Sequence, residues 1–446
     1  MKAKRTKRSS DSASNSRVMP YTYVRSETEL FTELPYEISK VNSVVVVHHP
    51  VTAISDQQGP LEFQISQSDS QYVNLRSIRL KLRVKITKAD GTALANTDVV
   101  SPCQNFAHSM FRSVQCWLND CLITPSSENY AYRAYIETLL GFGKEMKKTH
   151  AALAMWDREK DLTCMDETKD DGFKRRFDKI KSSKIVELIG RPFLDITAAN
   201  QYLPPGIPIR LNFTRASPDF CLISKAKTAF KYEILDAKLF VEKITLLPSL
   251  ALEHIKQWES GEPVKMMLRR VEMRTFTVAP GTLQLSNENL LTGLIPYRII
   301  IAVVPSINYI GSLGKNPFIF NNNDVSYINL SVNGEPVHTP LELDYANDLY
   351  ASAYDQMFRG LEVDNEDLGL DITLEAFKES CCFYVYNIAD CREGYIPPRH
   401  GSVSLELKFK SARTEAMTVM AYIESPAVLL CDKYKNISFL DFNNIA

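Results

Sequence analysis

At 446 residues the chain is too long for one compact core, and two domains of roughly 200 residues each follow. A 45% hydrophobic content and a net charge of −1 describe an ordinary folded protein. No stretch approaches the roughly eighteen consecutive apolar residues that span a bilayer, and the basic N-terminus lacks the apolar core of a secretory signal, so a soluble protein of the cytosol or nucleus is expected.

Residues 1–17 hold six Lys or Arg (Lys2, Lys4, Arg5, Lys7, Arg8 and Arg17) against one Asp, which leaves about −6 for the remainder. The first 35 residues read as a basic, Ser-rich arm with little to bury, suited to nucleic acid, an import receptor, an acidic partner or plain solvent. Nine cysteines, an odd number, are scattered without secretory features and read as reduced thiols. The sequons at Asn212, Asn329 and Asn436 are then accidental.

Along the chain the dominant pattern is period two. "IRLKLRVKI" (Ile78 to Ile86), "IPIRLNF" (Ile207 to Phe213), "AKLFVEKITLL" (Ala237 to Leu247) and "VSLELKF" (Val403 to Phe409) alternate apolar and polar residues, as half-buried strands do. "RIIIAVV" (Arg298 to Val304) and "CCFYVYNI" (Cys381 to Ile388) are continuous apolar runs, which predict strands covered on both faces. Helical pattern is confined to "NYAYRAYIETLLGFG", "LDYANDLYASAYDQMFRG" and "ALEHIKQWESGEP" (Ala251 to Pro263), the last a linker between halves. The charged stretch from Lys144 to Lys184 reads as an exposed, partly helical loop.

The two halves resemble each other. "SVQCWLNDCLITP" (Ser113 to Pro125) and "YINLSVNGEPVHTP" (Tyr327 to Pro340) each read as a strand, a two-residue turn, a short returning strand and a Pro. Asn333-Gly334 is a strong hairpin signal because both positions tolerate positive φ, and Asn119-Asp120 occupies the same place. Tyr130 and Tyr135 are five apart, as are Tyr345 and Tyr350; the first of each pair follows its turn Asn by eleven and twelve residues. Strands flank both motifs in the same order. The expectation is an all-β protein, a double jelly roll of two eight-stranded sandwiches with short helices in loops, spanning 36–260 and 261–446.

Catalytic chemistry finds no footing. His108, Cys116 and Cys121 lie close in sequence, but strand alternation puts Cys116 in the core, and no second ligand pair exists for zinc. The chain has no HExxH, no GxSxG and no complete phosphate loop at Gly311 to Lys315. Asp364 to Glu375 resembles a calcium loop, yet Leu368 stands where an oxygen ligand belongs. Adjacent Cys381 and Cys382 would point to opposite faces of a strand. No cofactor, metal or catalytic residue is assigned, and a non-enzyme is expected.

"NFAHSMFRSVQCWLND", "NYAYRAYIETLLGFG", "GSLGKNPFIFNN" and "YINLSVNGEPV" resemble the major capsid protein of Polinton (Maverick) elements and adintovirus-like viruses, from about Tyr72 to "NISFLDF". The resemblance implies a double jelly-roll protomer. Three such chains would form a pseudo-hexagonal, hexon-like capsomer that tiles an icosahedral shell, with penton and minor capsid proteins as partners. It further implies an inward-facing basic arm with non-specific contact to DNA, and outer excursions at 144–184 and 361–373. The charged excursion and the arm depart most from the family pattern. A glycan-binding or glycan-cleaving double jelly roll, and a capsid gene retained by a host with a cellular role, are the competing expectations.

Overall fold

Strong alternation makes long strands where one face is wet. The 17-residue strand Tyr72–Lys88 buries Leu80, Leu82, Val84 and Ile86 and turns Lys81, Arg83 and Lys85 outward. The computed structural model describes residues 39–440 apart from 55–58, 69, 125–127, 159–164, 167, 227, 366–368 and 390–398, and only the backbone of 287 and 288. The arm residues Lys2, Lys4, Arg5, Lys7, Arg8 and Arg17 lie outside the described residues.

The first half contributes β1 (Lys40–His48), β2 (Leu61–Ile65), β3 (Tyr72–Lys88), β4 (Phe111–Leu118), β5 (Cys121–Leu122), β6 (Val186–Gly190), β7 (Ile209–Arg215) and β8 (Phe230–Leu246). The second contributes β9 (Val264–Val278), β10 (Gln284–Leu294), β11 (Arg298–Pro305), β12 (Val325–Val332), β13 (Glu335–Pro336), β14 (Tyr384–Asn387), β15 (His400–Phe409) and β16 (Met417–Cys431). The first half forms sheets in the order β1-β8-β3-β6 and β2-β7-β4-β5; the second forms β9-β16-β11-β14 and β10-β15-β12-β13. Adding eight to every label turns one half into the other. All of these pairings are antiparallel, and the chain is a double jelly roll.

The helices α1 (Tyr130–Gly141), α2 (Asp171–Ile180), α3 (Pro248–Glu259) and α4 (Ala351–Gly360) lie in connections between strands. α3 joins β8 to β9, opens on a proline at its first position and buries none of its residues. One continuous hydrophobic cluster runs through both halves, so the two sandwiches share a core rather than touching at a wet surface.

Two expectations change. Tyr130 and Tyr135 lie within α1, whereas Tyr345 sits in a 3-10 turn and Tyr350 caps α4. The matching tyrosine spacing is therefore not a shared helical position; the second half reaches its helix one turn-forming detour later.

The stretch 144–184 is partly helical, as expected, but its described residues are not all exposed. α2 buries Phe173, Arg176, Phe177 and Ile180, one stripe at helical spacing, while Asp171, Lys174, Arg175 and Asp178 face out. Asp170 caps it by accepting from Gly172 N and Phe173 N. The fully buried Arg176 donates Nε to Pro102 O at 2.8 Å. Lys147 is buried too, donating Nζ to Leu139 O and, at 2.7 Å, to Leu370 O of the second half; burial pushes its ammonium down to about 8. Charge composition concealed an amphipathic helix.

Candidate functional site

The hairpin turns hold the geometry that their residues favour. Asn119 and Asp120 have φ of 44° and 63°, Asn333 and Gly334 of 53° and 86°, the signs a type I′ turn requires at both central positions. Asn333 Oδ1 accepts from Ser402 N at 2.9 Å, and a Cβ at Gly401 would lie 2.3 Å from that oxygen, so the turn rests on a neighbour without a side chain. Asn119 Nδ2 instead donates to Lys435 O at 2.8 Å, tying the first half's turn to the chain beyond β16.

Aligning the turns puts Cys116 opposite Leu330 in the repeat, and both are fully buried. Burial pushes the Cys116 thiol far up, with Asp195 adding to it, which suppresses the thiolate. His108 lies in a one-turn helix, Phe106–Ser109, with Nδ1 3.0 Å from the Tyr130 hydroxyl and its ring 4.9 Å from that of Phe193. A Cβ at Gly190 would come within 2.7 Å of His108 Nε2, so the imidazole fills the space over a glycine. Among the described residues, no group of three or more His, Cys, Asp or Glu side chains is placed to hold a metal ion. Asp364–Glu375 is interrupted by residues outside those described, and Thr373 within it caps a helix at Leu374–Ser380.

Burial lowers His108 from an ordinary 6.5 to about 3. The folded protein therefore holds it neutral while the unfolded chain protonates near 6.5. The stability this contributes is complete above pH 6.5 and declines as pH falls toward 3, by about 1.4 kcal/mol per unit. The variant His108→Gln is expected to flatten the fall in melting temperature between pH 6.5 and 4; an unchanged acid limb would reject this assignment.

The residues with the most concentrated interactions form the seam between the sandwiches. α1 supplies both parts. Tyr135 stacks on Phe318 at 4.5 Å with 4° between planes, and its other contacts include Phe320 and Trp156. Tyr132 stacks on Tyr309 at 5.4 Å and donates its hydroxyl to Tyr309 O, while Tyr309 donates its own to Asn129 Oδ1 at 2.7 Å.

The opposite side of α1 is ionic. Arg133 bonds Glu137 at 2.8 Å and Asp195 at 2.7 Å; Asp195 also accepts from Val271 N of β9. Arg269 of β9 spans Glu137 at 3.1 Å and Glu424 of β16 at 3.0 Å. Glu424 further accepts from Tyr422 and pairs with Arg298 of β11, which reaches Glu362 at 3.5 Å. Burial raises the Glu137 carboxyl, but Arg133 and Arg269 outweigh it and hold the group below the usual glutamate value. The ion layer, with Ile136 and Leu140 of α1, lies against Ile300 of β11 and Tyr422 of β16, strands that are buried on both faces.

Sequence reasoning passed over this seam. Arg133 and Glu137 form a visible i, i+4 pair on a predicted helix, but Arg269 lies 132 residues from Glu137 and 155 from Glu424, and no local pattern joins them.

Among the described residues, β1 pairs only with β8. Val41 and Val45 are 60% and 61% exposed, and Val44 and Val47 are exposed as well, so an apolar edge strand faces outward.

Two sandwiches that repeat one antiparallel strand order define the class of double jelly-roll proteins. Solved structures with this fold include a chain of the Sputnik virophage (TM-score 0.61, 9% identity, 96% of this chain and 95% of that one). A chain of the PBCV-1 virus capsid (TM-score 0.56, 9% identity, 92% and 100%) and the mavirus major capsid protein (TM-score 0.51, 9% identity, 95% and 95%) share it too. Identities this low carry the fold alone. Among curated proteins, an uncharacterized protein of Caenorhabditis elegans is 24% identical over 315 residues, covering 67% of this chain and 72% of its own. No protein-family model matches the chain.

Proposed function

We propose that the chain is a structural capsid subunit whose work is self-assembly. The observation that carries this reading is the repeat: two sandwiches with the same strand order, locked by a buried seam into one rigid body. Two similar units per chain and three chains give six near-equivalent units, a shape that packs hexagonally on an icosahedral facet. The jelly rolls spanning 36–260 and 261–446 are the two units in this picture. The exposed valines of β1 supply an apolar lateral contact. The basic arm at Lys2, Lys4, Arg5, Lys7, Arg8 and Arg17 faces the interior, toward DNA or a minor capsid protein, and the shell is that of a virus or a Polinton-like mobile element. The virion is the location that follows, with assembly in the host cytoplasm or nucleus.

A relative in a nematode favours a second reading, a capsid gene kept in an animal genome for a cellular task. Light scattering after size exclusion, with negative-stain microscopy, tests the first. A mass three times that of the 50.6 kDa chain, with hexagonal particles or shells, is expected; a persistent monomer across assembly conditions would reject it.

A further inference from the structure

The ion seam leaves one arginine of its cavity outside the ion pairs. Arg191 lines a cavity of about 250 Å3 together with Arg269, Arg298, Glu137 and Glu424. Both carboxylates are taken: Glu137 by Arg133 and Arg269, Glu424 by Arg269, Arg298 and Tyr422. Among the described residues Arg191 makes no ion pair.

Its neighbours add to the excess. Leu80 of β3 pairs with Gly190 of β6, so the next step of that ladder sets Arg79 beside Arg191. Like charges at facing positions destabilise a sheet. Arg79 donates Nη1 only to the carbonyls of Arg76 and Ile78, at 2.8 and 2.9 Å. Arg76 donates to Asn200 Oδ1 at 2.8 Å, and Asn200 lines an adjoining groove of about 650 Å3 that also contains Arg269 and Arg298. Burial, with Arg191 adding to it, holds the Arg79 guanidinium below its usual value; burial does the same to Arg191, with Glu137 opposing the shift and Arg76 and Arg269 adding to it.

We infer that Arg191, flanked by Arg79 and Arg269 at the seam of the two jelly rolls, is the centre of a binding site for a small phosphate anion. A guanidinium offers paired N–H donors at the spacing of two phosphate oxygens, and partial removal from water strengthens each bond. The anion would neutralise Arg191 and Arg79, neither of which makes an ion pair among the described residues, and would brace the first half's β3 and β6 against the second half's β9.

The test uses the full chain and titrates inorganic phosphate and glycerol 3-phosphate by calorimetry, beside sodium chloride at matched ionic strength. Phosphate is expected to bind and to raise the melting temperature beyond the salt control. Arg191→Met is expected to weaken binding about tenfold or more, with Arg191→Lys keeping part of it. Because Arg191 makes no ion pair among the described residues, Arg191→Met should melt close to wild type without phosphate, which separates lost binding from lost folding. Tighter binding of the ester would identify a phosphate monoester as occupant; equal binding would identify the free ion. Equal phosphate affinity in wild type and Arg191→Met, or no response beyond chloride, would overturn the site.

Discussion

Replacing Arg133 with methionine is expected to destabilise the chain by about 3–5 kcal/mol, the loss that follows when one partner of a buried ion pair is removed. Arg133 is 7% exposed and its guanidinium serves two carboxylates, Glu137 at 2.8 Å and Asp195 at 2.7 Å. Methionine of similar length fills the space but leaves Asp195 with one backbone donor, Val271 N at 3.2 Å. Glu137 would keep Arg269 alone. Chemical denaturation of wild type, Arg133→Met, Asp195→Asn and the double variant measures the pair directly, because the second change should cost less once the first is made. Costs that simply add would show that the two residues act independently.

The same network fixes a pH dependence. Glu137 is held below its ordinary value in the folded state, so its contribution is present at neutral pH and is lost as pH falls through the carboxylate range. His108 acts in the same direction over a higher window, between 6.5 and about 3. Burial pushes Asp195 of the same network the other way, above the usual aspartate value, so its share runs against that of Glu137.

Much of the architecture was legible from local pattern. Alternation marked β3, β7, β8 and β15, and the unbroken apolar run at 298–304 announced a strand buried on both faces, as β11 is. The Asn-Asp and Asn-Gly turns located matching hairpins because positive φ at two consecutive positions restricts residue choice. The tyrosine spacing misled because equal separations in sequence do not fix helical register when Tyr345 sits in a 3-10 turn and Tyr350 only caps the helix after it. In 144–184 the abundance of Lys and Asp hid Phe173, Phe177 and Ile180, whose spacing is visible only once a helix is assumed. The seam was illegible for a deeper reason: its ion pairs and ring stacks join residues from separate halves, and their chemistry is specified by the fold rather than by neighbours in the chain.

Truncation of the aromatic layer should have an effect of similar size and a different character. Tyr135 is fully buried between Phe318, Phe320 and Trp156, so Phe318→Ala or Tyr135→Ala opens a cavity between the sandwiches at a cost of about 3–5 kcal/mol each. Both changes fall between the jelly rolls rather than inside either one, whose cores of Leu80, Leu82 and Leu211, or Leu330, Leu405 and Leu407, stay intact. Scanning calorimetry is therefore expected to resolve one transition in wild type and two in the double variant, as the halves cease to melt together. The coupling between Tyr135 and Phe318 should be about 0.5–1.5 kcal/mol beyond the area each buries. If the seam sets the angle between the two units, particles should fail to form even where each sandwich remains folded by circular dichroism. Normal shells from the double variant would mean that subunit contacts, such as those at β1, impose that angle from outside.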